Sequence, residues 1–374
     1  GYESGAAAAA EMIRERRPQT AAALVPLVAR DDVSPYALAG YVPTAPARGT
    51  EAMEGQLARA GALFGVECAP LYAVASGCTG MPTPADLVGA PARAVRRSDT
   101  GRILHVTGLR YEPIQTERGL DLAKAILAGG MATADGALVL RGGGVIVLRM
   151  RLPLVLRPHG DSSPVQCYLC SVVCHDGSMA NSLYMTTIRP VCENTLAAGL
   201  AQATGRERTA VGRRARGTTA SEDALVRGNA IAFRHTAGAE AKIRLAEKAV
   251  SVATERFRLF GERVELWART SMSAAAREAV VRRLLPATTE AKVHPTTEAN
   301  RAKLRELIEV GRGMEGIRGT AWGVVNAMTE YADHYTRLRD QSPDARANSI
   351  LFGRGNALKA KGVEIIEEVI GELV

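Results

Sequence analysis

Cys167, Cys170, Cys174 and His175 lie within nine residues and form the densest run of metal-ligating side chains in the chain. Zinc and haem attachment each demand a particular spacing, and C-x-x-C-x-x-x-C-H matches neither the paired knuckle nor the C-x-x-C-H signature. On a strand, Cys167 and Cys170 point to opposite faces and cannot share an ion. Buried strand thiols are therefore expected, with no metal, and Cys68, Cys78 and Cys192 add nothing to a metal case. Gly311-Arg312-Gly313-Met314-Glu315-Gly316 fits G-x-G-x-x-G, but a helical pattern precedes it where a dinucleotide site needs a strand. A helix end and linker is the expected role. His175-Asp176 sits in an Asp-Gly turn, and His105, His159, His235, His294 and His334 form no spaced pair. Neither a G-x-S-x-G elbow nor a G-x-x-x-x-G-K-[ST] phosphate loop occurs in the sequence. No catalytic residue and no cofactor is assigned, and an enzyme is not expected. A nuclease with a dispersed site is kept as an alternative.

The basic residues offer a different chemistry. Of 47 Lys and Arg only seven are lysines, and the formal net charge is +8. Arginine grips phosphates with a planar fork. Arg141, Arg149, Arg151 and Arg189 fall in or beside predicted strands, and Arg206, Arg208, Arg213, Arg214 and Arg216 crowd a glycine-punctuated loop after them. Tyr168 and Tyr184 on the same predicted hairpin offer surfaces for stacking bases. An arginine-lined groove with aromatic platforms is what single-stranded nucleic acid requires, since phosphate neutralisation supplies affinity and stacking tolerates any base.

Positioning these residues requires a sheet. ALVLRGGGVIVLRMRLP reads as two strands around Gly142-Gly143-Gly144, and VQCYLCSVVCHDGSMANSLYMTTI as two more around Asp176-Gly177. RILHVTGLRYEPI precedes them as a β-rich run, followed by a short helix opening at Thr116 or Glu117. Pro190 and Glu193 predict a helix directly after the last strand, with Leu196 and Leu200 on its apolar stripe. Beyond Arg216 the patterns are helical: Ile243, Val250, Ala253, Phe257 and Phe260 share a stripe, then Ser273–Leu285, Glu298–Val310, Thr320–Arg339 and a last helix through Val363, Ile366 and Val369. The sequence thus predicts an α+β protein, in which a curved antiparallel β-sheet with packed helices is followed by a helical C-terminal region. It divides into an N-terminal arm or accessory region (1–97), an α+β core (98–235) and a helical region (236–374). Hydrophobic residues at 47% and charged residues at 23% exclude wholesale disorder. No window reaches the ~20 apolar residues of a membrane span, and Ala21–Ala29, interrupted by Pro26, is too short for a signal peptide. A cytoplasmic protein is expected.

RYEPIQTERGLDL, CYLCSVVCHDGSMANSLYMTTIRPVCENTLAAGL, RHTAGAEAKIRLAEKA, GTAWGVVNAMTEYADH and SILFGRGNALKAKG resemble, in that order, the phage/plasmid-like protein family defined by domain of unknown function 932. The most specific part is H-D-G-S followed by T-x-x-R-x-V-C-x-N-T, carried by His175, Asp176, Gly177, Arg189, Cys192, Asn194 and Thr195. The Trp-His-Gly-rich opening of many members is missing here. The resemblance implies a phage, plasmid or integrated element as the setting. The middle of the chain is also similar to the β-β-β-α core of single-strand annealing proteins of the Rad and phage-recombinase kind. It departs from them in ENTLAAGLAQA, which has no basic residue before Arg206. The expectation is a protein that binds single-stranded DNA and promotes annealing and recombination without ATP or metal, as a ring or filament homo-oligomer. A structural or scaffolding oligomer of a phage or mobile element is the alternative from another class.

Overall fold

A computed structural model describes residues 50–74, 87–179, 181–189, 194–195, 225–227, 230–232, 239–287 and 293–372. The architecture is α+β, with two antiparallel sheets and a helical C-terminal region. Helix α1 (Thr50–Ala60) leads into a three-stranded sheet of β1 (Val66–Val74), β2 (Leu87–Arg97) and β3 (Ile103–Thr107), in that spatial order. β1 and β2 are strands within the segment that the sequence pattern marks as an arm. β3, from the RILHVT run, pairs with β2 rather than with the larger sheet: Val95 lies opposite His105 and Arg93 opposite Thr107. The composition shift at Arg97 therefore falls inside a sheet.

The larger sheet follows α2 (Thr116–Gly119) and α3 (Asp121–Ala128). Its central strands, β4 (Thr133–Leu140), β5 (Val145–Leu156), β6 (Val165–Cys174) and β7 (Ser182–Arg189), lie side by side in chain order. Gly-Gly-Gly and Asp-Gly each close a hairpin as the turn chemistry predicts. β4, β6 and the first half of β5 read as near-continuous apolar runs rather than alternating ones because both faces are covered there, whereas Pro153 and Val155 of β5 are exposed. One face carries Ile146, Leu148, Met150, Cys167, Leu169 and Val173 and belongs to the main core, together with α1, α3 and α4 (Ala239–Arg269). The other carries Leu138, Leu140, Val145, Val147, Cys170, Val172, Cys174 and Tyr184 beneath Ala347, Ile350 and Leu351 of α8 (Pro343–Leu351). Cys167 and Cys170 thus lie on opposite faces, as strand geometry requires, and burial pushes both thiols up to about 12.

After β7 the chain departs from the predicted helix at Asn194 and Thr195, and the rest of that helix lies outside the described residues. Asn194 and Thr195 are extended (β8) and pair with Arg189 and Ile188, so edge pairing wins over the proline and glutamate signals locally. Two further short strands, β9 (Leu225–Arg227) and β10 (Ala230–Ala232), continue the sheet, with β10 against the other half of β7 at Ser182–Tyr184. The remaining helices are α5 (Ala274–Leu284), α6 (Pro295–Val310), α7 (Ala321–Glu330) and α9 (Arg354–Gly371). Ser273 caps α5, and Thr320 caps α7. The Thr320–Arg339 pattern is interrupted after Glu330, where one π-helical turn (Tyr331–Tyr335) ends the regular helix. Trp267 of α4 stacks on Trp322 of α7 at 6.3 Å, which fixes the two helices face to face. Among the described residues no helix is long and apolar enough to cross a membrane.

Candidate functional site

The face of the large sheet that carries Cys170 is apolar at the hairpin end and polar beyond it. Register places Arg149 opposite Cys170, Arg151 opposite Tyr168, and Tyr168 opposite Thr186, so these side chains project from one face. Asp135 joins them through a bulge: β4 slips between Ala134, which pairs with Met150, and Gly136, which pairs with Arg149. The extra residue re-aims the carboxylate. Arg149 ion-pairs with Asp135 at 3.0 Å and lies over the Tyr168 ring, 5.0 Å from its centroid. The Tyr168 hydroxyl donates to Gln166 at 2.8 Å. Burial pushes the Asp135 carboxyl up to about 6, against the opposing pull of the Tyr168 hydroxyl and the Arg151 charge. Burial also raises the Tyr168 phenol, with Asp135 adding to it. Arg151 is half-buried and makes no hydrogen bond or ion pair among the described residues; its charge acts on Asp135 and Tyr168 from a distance. This cluster holds one unspent cation beside an aromatic ring, and a carboxyl that titrates in the mildly acidic range.

The other predicted site residues divide. Arg141 sits in the Gly-Gly-Gly turn with φ +54, a left-handed conformation that costs of order 1–3 kcal/mol for a non-glycine residue. Its interactions explain why it is held there. The backbone N–H donates to Asp344 at 2.9 Å, Nε donates to Asn348 at 3.0 Å, and Nη1 donates to Asp176 at 3.1 Å and to Ser178. Arg141 therefore ties both hairpin tips to α8. Burial disfavours the charge on Asp176, but hydrogen bonds from Ser178, Cys174 and Arg141 outweigh it and hold the carboxyl below the usual range. His175 is buried between Thr116, whose hydroxyl lies 3.1 Å from Nε2, and the edge of Phe64; burial lowers its imidazole to about 4. Gly177 takes a positive φ within the Asp-Gly turn. The H-D-G-S run thus builds a turn and its anchor.

Arg189 projects from the opposite face, because it lies two residues beyond Thr187, the partner of core-facing Cys167. Its side chain is 2% exposed and grips Asp161 with two bonds of 2.6 and 2.8 Å. It also donates to the Gly313 carbonyl at 2.7 Å and to that of Arg312 at 3.3 Å, while Trp322 Nε1 donates to Asp161 at 2.8 Å. The G-x-G-x-x-G run follows α6 as a C-cap and linker, and its Arg312 and Gly313 carbonyls receive this arginine. Tyr184 is buried beneath α8, tilted on Phe352, with its hydroxyl directed at the Leu351 carbonyl. Asn194 and Thr195 form β8 against Arg189 and Ile188. Arg206, Arg208, Arg213, Arg214, Arg216 and Cys192 lie outside the described residues.

The structure therefore brings together Arg149, Arg151 and Tyr168, and separates Arg141, Arg189 and Tyr184 from them. Asp135 is the residue that sequence reasoning missed; an Asp-Gly pair inside an apolar strand run was the available bulge signal. No curated protein and no solved structure matches the chain. A family model matches residues 103–211 and 218–351, which hold the Asp135 cluster, both hairpins and helices α3, α4 and α8, and the chain belongs to the family described as Domain of unknown function (DUF932).

Proposed function

We propose that this protein binds single-stranded DNA along the polar half of the large sheet and promotes strand annealing without ATP or metal, in the service of a phage, plasmid or integrated element. The observation that carries the reading is Arg151: a half-buried guanidinium beside Tyr168 and Arg149, with no carboxylate or carbonyl partner among the described residues. Arginines of the helical region contrast with it. Arg258, Arg269, Arg282 and Arg305 each ion-pair with glutamate on the same or a neighbouring helix. In this reading Arg151 and the arginines of 206–216 hold the phosphates of one strand. The base edges stay open for a second strand, and self-assembly into a ring or filament extends the path. The similarity to an annealing-protein core belongs to this proposal. Support for it comes from the antiparallel β4–β7 sheet and the helices packed on it.

Fluorescence anisotropy with an unstructured labelled oligonucleotide across a salt series tests the first step. Each phosphate contact contributes about −0.7 to the log–log slope. Arg151→Ala should reduce the slope by about one contact, and mixing complementary strands should accelerate duplex formation. Absence of binding at low salt ends the reading.

A further inference from the structure

A second basic site lies away from the sheet face. The C-terminus of α1, the β2–β3 turn, the Gly-Gly-Gly turn and the start of α8 enclose a cleft of about 520 Å³, lined by Ala60, Arg97, Thr100, Arg102, Val139 and Asp344. That volume is within the range of small-molecule sites. Arg97 and Arg102 flank the β2–β3 turn, where Arg97 N donates to the Arg102 carbonyl at 3.0 Å, so both guanidiniums reach the same cleft. Arg97 is held by Asp99, by the Gly142 carbonyl and by the Phe64 ring, 3.9 Å away. Arg102 is exposed, and its guanidinium makes no hydrogen bond or ion pair among the described residues. The turn is shaped around these two side chains. A Cβ at position 142 would overlap the Arg102 guanidinium, and one at 143, where φ is +106, would come within 3.0 Å of Arg97 Cδ and 2.9 Å of Phe64 Cζ. The acidic residue in the wall, Asp344, already accepts from Arg141 N.

From this arrangement we infer a binding site for a phosphate monoester. The unbonded Arg102 guanidinium, with the Thr100 hydroxyl in the same lining and the charge of Arg97 behind it, suits a phosphate group. The rest of the lining suits a nucleoside: Val139 and Ala60 supply apolar contact, and the C-terminus of α1 carries the negative end of its dipole, which favours ring N–H donors. Two sources share this chemistry, a free nucleotide and the 5′-phosphate at the end of a strand. The site involves none of the arginines of the large sheet and stands whether or not DNA lies on that sheet.

Calorimetric titration of the full chain with nucleoside 5′-monophosphates, and with the corresponding nucleosides as controls, tests it. Binding is expected for the monophosphates, absent for the nucleosides, and weakened about tenfold or more in Arg102→Ala. Arg102 is exposed and unbonded, so this variant keeps the fold; Gly142→Ala, which displaces the Arg102 side chain, should weaken binding in parallel. Competition by 5′-phosphorylated but not 5′-hydroxyl oligonucleotides identifies the strand end as the source. Competition by neither identifies the free nucleotide. No heat with any monophosphate, or affinity unchanged in Arg102→Ala, overturns the assignment.

Discussion

Removing the Arg189 guanidinium should unfold far more of the protein's stability than it removes of any surface function. Arg189 and Asp161 are 2% and 0% exposed, joined by two charged hydrogen bonds, and two backbone carbonyls and an indole complete the set. Taking one partner from a buried pair leaves the other charge without its counter-ion in a medium that solvates it poorly, at a cost of about 3–5 kcal/mol. An exposed pair would cost about 1 kcal/mol or less. Against a total stability of about 5–15 kcal/mol, Arg189→Ala should remove about a fifth or more. Arg189→Lys retains charge but cannot span both Asp161 oxygens and still reach the Gly313 and Arg312 carbonyls, so it should fall between. Urea unfolding is the assay. Trp322 fluorescence reads the cluster directly because its indole donates to Asp161, and far-UV circular dichroism reads the whole fold. Asp161→Asn completes a double-mutant cycle, with a coupling of about 1–3 kcal/mol expected. A loss below about 1 kcal/mol for Arg189→Ala would refute the buried-clamp reasoning. Where the variant remains folded, its DNA salt slope should equal that of the parent chain, because the side chain faces the helical layer.

Two buried titratable groups should give opposing pH dependences. Asp135, raised to about 6, binds its proton more readily in the folded state, so its contribution to stability is full below about pH 4 and is lost as pH rises to about 6. His175, lowered to about 4, contributes above about pH 6.5 and loses that contribution as pH falls to about 4. Each is worth roughly 3 kcal/mol at most. Asp135→Asn should therefore unmask a loss on acidification and His175→Gln a loss on alkalinisation, read as urea midpoints at pH 4.5 and 6.5; identical profiles for the three proteins would sink the assignment. Lys359, fully buried against Asp333 at 2.7 Å and bonded to the Ile350 carbonyl, should lose about 3–5 kcal/mol on change to Met, measured by the same unfolding assay. Gly143→Ala should destabilise by about 1–3 kcal/mol through its positive φ and the approach of Phe64, and a neutral result would contradict the turn geometry.

What was legible in the sequence was what a few neighbouring residues decide. The two hairpins, the segregation of Cys167 from Cys170, the helix starts near Ser273 and Thr320, and the helix-end role of Gly311 all follow from local pattern and turn chemistry. The helix expected at Pro190 is not formed at Asn194 and Thr195, where pairing with the edge of β7 outweighs signals that are themselves local; its other residues lie outside the described ones. Partner identity was illegible for a different reason. Arg189 meets a carboxylate 28 residues away and Arg141 meets one 203 residues away, and no spacing rule links them.

The same distinction changes what the net charge of +8 means. Alternation alone puts Arg149 and Arg151 on one face of the sheet and Arg189 on the other, so strand arginines that look equivalent in sequence cannot line a common groove. Arg189, Arg141 and Arg149 are then committed to Asp161, Asp176 and Asp135, and much of the helical region neutralises itself through arginine–glutamate pairs. A ligand phosphate competes poorly for a guanidinium already held by a buried carboxylate, since binding would have to repay the loss of that pair. The capacity for polyanions thus concentrates on guanidiniums that the fold leaves unspent. Among the described residues of the two sites, those are Arg151 on the sheet and Arg102 at the cleft.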